Sequence, residues 1–184
     1  STDDKIWGGG KDRPEGFLEI LVRRGGSYAE RPVFTPEGKQ QGSLLLPSGK
    51  VEEVIQGHNL CLNRIRIQIA HLLVGHDSTT RYINRMVFGT GGHAVGDTST
   101  PISPDVADTG LEGQILQKNF ATFEFPTQYS VRCVAFVLES EANGFVLCES
   151  GLMSADNTLV ARRTFPGLNK TSDFVFEFRH GLLA

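Results

Sequence analysis

The chain has 184 residues, of which 39% are apolar and 21% charged, and its net charge is -3 at pH 7. That length sets an expectation of one domain with room for an arm, large enough to bury a core without metal or disulfide staples. The composition excludes a collagen, a coiled coil, a disordered polyanion-seeking chain and a small disulfide scaffold. No apolar run approaches the roughly 20 residues of a membrane-spanning helix, and no charged segment followed by an apolar one opens the chain as a secretion signal would.

Residues 1–50 differ from the rest, holding nine of the 21 glycines and four of the 8 prolines. The opening residues, Ser1 to Gly10, show no periodicity, and their large apolar groups are Ile6 and Trp7. A lone Trp beside three glycines cannot bury itself locally, so this segment is expected to be an extended arm that docks on a neighbouring copy or partner. Residues 17–22 read as a strand that ends at the turn Arg23-Arg24-Gly25-Gly26. Pro32, Pro36 and Pro47 break up the next stretch, because proline cannot donate to a ladder. Residues 1–50 are therefore read as an N-terminal arm or extension carrying edge strands.

A helix is expected over 60–74, with Asn59 as its N-cap and Gly75 as its stop. At 100° per residue Leu62, Ile65, Ile69, Leu72 and Leu73 share one face, while Leu60, Ile67 and Val74 form a second stripe. Arg64, Gln68 and His71 make the polar side. A solvated helix needs one apolar stripe, so a second stripe points to subunit contact, and Ile6, Trp7, Leu60, Ile67 and Val74 are the candidate interface residues.

Strands follow over 81–88, 120–125, 131–138, 145–149 and 174–179, with residues 111–118 open between a short helix and an edge strand. Glu141-Ala142-Asn143-Gly144 reads as a turn after which the chain returns, and Asp156-Asn157 as the tip of a hairpin. Short strands at intervals of ten to fifteen residues after one helix predict a mainly β fold: an antiparallel β-sandwich over 51–184 that includes the helix 60–74.

Tests for chemical sites return no match. Gly89-Thr90-Gly91-Gly92 lacks the Lys and Ser/Thr of a phosphate loop, and the next glycine, Gly96, comes too late for a dinucleotide fingerprint. The five histidines, His58, His71, His76, His93 and His180, have no metal-ligand spacing. Cys61, Cys133 and Cys148 form no C-x-x-C pair and read as buried hydrophobes in a reducing compartment. Ser150 lacks the glycine-flanked nucleophile elbow and reads as structural, in a strand-to-turn position. Glu139, Glu141 and Glu149 read as solvating charges around a turn, and Arg162-Arg163 is too little for nucleic-acid binding. No enzyme, cofactor, metal, nucleic-acid or membrane role is expected; surface for contacts with copies or partners is.

From about Gly57 onward a set of motifs runs in order: Ile65 to Leu73, then Ile83-Asn84-Arg85-Met86-Val87-Phe88-Gly89-Thr90-Gly91, and the Thr/Pro/Asp-rich loop to Leu111-Glu112. After these come residues 141–144, 149–154, 158–163 and 169–171. This order resembles a family of tailed-bacteriophage virion structural proteins. The resemblance implies a non-enzymatic part of the neck, collar, tail or baseplate. It would assemble in the host cytoplasm as a homo-oligomer against copies of itself and tail tube, sheath, connector or baseplate proteins. Capsid decoration and receptor or glycan binding are the alternatives. An initiator Met removed before Ser1 would fit such an unprocessed product.

Overall fold

In the computed structural model, which describes residues 14–35 and 37–183, thirteen strands and two short helices follow one another. The first four strands are β1 (Glu15–Arg24), β2 (Tyr28–Phe34), β3 (Gln40–Pro47) and β4 (Val51–Cys61). The helices α1 (Arg64–Leu73) and α2 (Ser78–Arg81) come next. Then come β5 (Ile83–Gly89), β6 (His93–Ala94), β7 (Asp97–Pro101), β8 (Gln114–Asn119) and β9 (Thr122–Thr127). The chain closes with β10 (Ser130–Val137), β11 (Val146–Ser154), β12 (Leu159–Asn169) and β13 (Phe174–Leu183).

Nine strands make one antiparallel sheet in the order β8-β5-β11-β12-β4-β1-β13-β10-β9, while β2-β3 and β6-β7 are separate hairpins. The large sheet curls into a half-barrel. Phe88 on β5 and Phe178 on β13 are five places apart in the strand order, which in a flat sheet would be about 24 Å. Their ring centroids are 4.7 Å apart, edge to face, so the two flanks face each other as the layers of a sandwich do. The outermost strands β8 and β9 are joined by only Phe120 and Ala121, and are thus two halves of one bent strand. The core lies between the flanks. Leu18, Ile20 and Val22 alternate inward on β1, as do Cys133, Ala135 and Val137 on β10. The fold is mainly β and antiparallel, as the strand spacing predicts.

Several expectations are corrected. Residues 15–24 are not an edge strand: β1 lies between β4 and β13 and pairs with both. The turn-rich composition of residues 1–50 belongs to the segments around β1, which itself carries no proline and has period-two apolar residues. A boundary at residue 50 consequently cuts through one continuous sheet. Of the described residues before 51, only the β2-β3 hairpin behaves as an extension, lying outside the sheet.

The helix starts later than expected, because residues 60 and 61 finish β4 through pairing of Leu60 with Arg162 and Cys61 with Ala161. Asn63, not Asn59, occupies the N-cap position, and its side chain makes no capping bond. The stop is where the sequence puts it: Gly75 takes φ +67°, and its N–H donates to the Leu72 carbonyl. Gln68 is buried rather than on the polar side. Its amide donates to both oxygens of Asp156 at 2.9 Å and accepts from Arg81 Nη1 at 2.9 Å, which ties α1 to the β11-β12 turn.

The turn at 141–144 is not a hairpin. Strand β10 pairs with β13 and β9, whereas β11 pairs with β12 and β5, so the chain crosses there from one flank to the other. The tip at Asp156-Asn157 does join paired strands, β11 and β12, with Asn157 at φ 67°. Residues 114–119 are the edge strand β8.

Candidate assembly surface

Three polar side chains from separate strands meet inside the half-barrel. Asn59 Nδ2 lies 2.8 Å from His180 Nδ1, and Ser150 Oγ lies 3.0 Å from His180 Nε2. With the amide donating to Nδ1, the imidazole proton sits on Nε2 and is given to Ser150. That is the reverse of nucleophile activation, in which the ring takes the serine proton. Burial, helped by the charge of Arg163, pushes the His180 pKa down to about 3, so the ring is neutral at ordinary pH. Ser150 lies within β11, fully buried, not at a strand-to-turn junction.

Two glycines make room for this cluster. A Cβ on Gly16 would lie 1.4 Å from Asn59 Oδ1, and one on Gly57 would lie 2.0 Å from Arg163 Nη1. The Asn59 Oδ1 and Arg163 Nε atoms are buried with no hydrogen-bond partner among the described residues.

Of the three glutamates near the 141–144 turn, Glu149 is not a solvating charge. Glu149 is fully buried and accepts from the backbone N–H groups of Gly91, Glu112 and Gly113, the last at 2.8 Å. Arg162 bridges Glu149 at 2.8 Å and Asp108 at 2.7 Å. The Gly92 N–H donates to Glu112 at 2.9 Å. Gly91 and Gly92 of the glycine run, together with Glu112 and Gly113, thus give their backbone N–H groups to the protein's own carboxylates. Glu141 accepts from Lys118 Nζ at 2.8 Å and Glu139 from the Tyr28 hydroxyl at 2.8 Å.

A second buried carboxylate, Glu177, fastens the β2-β3 hairpin to the outer face of the sheet. It accepts from Arg23 Nε at 2.9 Å, from Arg31 Nη2 at 3.0 Å and from Arg179 Nε. Burial works to raise its pKa, but the Arg31 hydrogen bond and the Arg179 charge prevail and hold it below the usual carboxylate range. Leu46 of the hairpin packs on Val134, Phe136 and Val175, and the Arg31 guanidinium lies 5.7 Å from the Phe136 ring centroid.

The expected interface residues separate. Ile6 and Trp7 lie outside the described residues. Leu60 is half-buried on β4 and packs in a cluster with Leu62, Val87, Met153 and Leu159. Ile67 and Val74 are 52% and 80% exposed, next to Leu73 at 79%. The second stripe is therefore not a single helical face, since its first member belongs to a strand. On the hairpin, Phe34, Leu44 and Leu45 are exposed as well.

Cys61, Cys133 and Cys148 are free and buried, and burial raises the pKa of each, to about 11 for Cys61 and about 12 for Cys133. Among the described residues, no three His, Cys, Asp or Glu side chains are placed to hold a metal ion, and no helix is long and apolar enough to cross a membrane. No known protein family, curated protein or solved structure matches this chain.

The sequence reading missed Glu177, Arg31, Asn59 and His180 as partners. One signal was present: Glu177 interrupts the run Phe174-Val175-Phe176-Glu177-Phe178, and a charge inside an otherwise apolar strand needs a counter-charge.

Proposed function

We propose that this protein is a non-enzymatic structural component of a tailed-bacteriophage virion. It would act as a homo-oligomeric ring or joint in the neck, collar or baseplate, with its N-terminal arm binding neighbouring subunits and other virion proteins. The reading rests on the ordered motif resemblance and on one structural contrast. The polar side chains that could do chemistry, Ser150, His180, Glu149 and Glu177, are buried and bonded to each other or to the protein's own arginines and backbone. Large apolar side chains, Leu45, Ile67, Leu73 and Val74, stand exposed instead. That distribution favours contact over catalysis. A stiff curled sheet suits a ring if residues 1–13 serve as the arm, because arms link copies without a large globular interface.

The test is labelling of the protein in purified particles followed by imaging. Label confined to the tail axis, at six to a few dozen copies per particle, is the expected result. Hundreds of copies on the head would replace this reading by capsid decoration. Absence from particles would reject both.

A further inference from the structure

At the end of the half-barrel where β1 begins, two depressions meet at His58. The larger, of about 490 Å3, contains Phe17 and His58, whose rings are 5.1 Å apart, and is flanked by Arg132 and Arg179. The smaller, of about 370 Å3, is lined by His58 and Arg163.

Among the arginines of the large sheet, Arg23, Arg24, Arg132, Arg162 and Arg179 each pair with a carboxylate, whereas Arg85 and Arg163 have no carboxylate partner among the described residues. Arg85 is bonded instead to Asn84, Gln117, Asn157 and the Ser154 carbonyl. Arg163 Nη1 donates to the His58 carbonyl at 2.7 Å and its Nε is buried with no partner among the described residues. The guanidinium lies across the bare Cα of Gly57, where any side chain would displace it. A half-buried guanidinium without a counter-charge favours arrival of an anionic group.

Residues 1–13 enter the fold at the rim of the larger depression, since Glu15 pairs with Leu183 and Leu183 lines it. This segment carries the chain's single Trp, with Ile6 beside it and two acids, Asp3 and Asp4, shortly before. It therefore holds both chemistries that the paired depressions lack: a large aromatic group for the Phe17-His58 slot between two arginines, and carboxylates for Arg163.

We propose that the segment Asp3 to Trp7 of a second copy of this chain docks here, with Trp7 over Phe17 and His58 and an acid of the Asp3-Asp4 pair on Arg163. This deepens the assembly reading above, on which it rests, by naming the contact. An extended chain spans at most about 11 Å from residue 4 to residue 7, so both groups can be seated only if the two depressions share a wall, and His58 is that wall. The depression extends from Phe17 toward Glu19 along the forward direction of β1, so the chain's own segment would have to reverse to enter it. A neighbour's segment enters without that reversal.

Because Trp7 is the only tryptophan, its emission reports the contact directly. The full chain is titrated over concentration while emission maximum and molar mass are followed together. The expected result is a blue shift that grows in step with mass. Arg163→Gln, and separately Asp3→Asn with Asp4→Asn, should each move both transitions to at least tenfold higher concentration, while Arg163→Lys restores most of the effect. The acid variants leave every described strand unchanged and keep the test valid if Arg163→Gln fails to fold. If mass rises while emission stays solvent-like, copies associate elsewhere and this inference falls while the assembly reading stands. A blue shift independent of concentration in a monomer means docking on the chain's own slot and overturns the proposal. A monomer with solvent-like emission throughout removes the homo-oligomer reading and this contact with it.

Discussion

His180 makes stability depend on pH in a window that opens above the carboxylate range. Its folded pKa is about 3 against 6.5 when free, so below 6.5 the unfolded chain binds a proton that the folded one refuses. Stability is therefore complete above 6.5 and falls as pH drops toward 3, by about 1.4 kcal/mol per pH unit. Glu177 acts lower: its depressed pKa contributes stability above the ordinary carboxylate range, and that is lost as pH falls through the folded value. Between pH 7 and pH 5, urea unfolding should lose about 2 kcal/mol, and His180→Gln should abolish most of that difference. A constant midpoint over this range would show that the ring titrates normally.

A glycine supplies the second expectation at this scale. A Cβ on Gly49 would lie 1.8 Å from the carbonyl oxygen of Arg24, a backbone atom that cannot rotate away. Gly49→Ala should cost about 3 kcal/mol by urea unfolding. Neither the imidazole nor this glycine was legible in the sequence. Both depend on an atom from another strand, His180 on Asn59 and Ser150, and Gly49 on Arg24.

At the scale of elements, the β2-β3 hairpin hangs on few attachments. Arg31 and Leu46 bind it to the sheet, and Tyr28 ties its base to Glu139. Arg31→Ala should raise amide hydrogen exchange over 28–34 and 40–47 while β1, β10 and β13 stay protected. Equal exchange in wild type and variant would show that apolar packing alone holds the hairpin. Glu177→Gln should be more damaging, at about 3–5 kcal/mol, because it leaves Arg23, Arg31 and Arg179 around an uncharged group.

Strand existence was readable where apolar residues alternate, as on β13, or run without interruption, as on β10. Strand rank was not. The sequence reading made β1 an edge strand on the composition of its neighbourhood, yet its own Leu18-Ile20-Val22 face fills the core. The α1 boundary was misplaced for a related reason: residues 60–62 fit a helical stripe and a strand end equally well, and pairing of Leu60 with Arg162 decides between them.

For the whole molecule, residues 1–13 precede β1 in the chain, and every described strand of the sheet is built from residues after them. A chain lacking residues 1–13 should melt at the temperature of the full chain but enter particles poorly, as measured by calorimetry and by quantifying the protein in purified particles. Normal incorporation would remove the arm's role; a lowered melting temperature would show that the arm belongs to the folded body. By itself the sequence determined the class: many short apolar-patterned strands, one amphipathic helix stopped by Gly75, cysteines without pairing spacing. These are local properties, set by period, turn chemistry and backbone freedom within a few residues. Tertiary structure alone decided that the sheet curls until Phe88 meets Phe178, that Glu149 accepts from the backbone of the glycine run, and that Arg163 meets no carboxylate among the described residues. Each of these joins residues far apart in the chain, and a buried charge takes its meaning from what the fold sets against it.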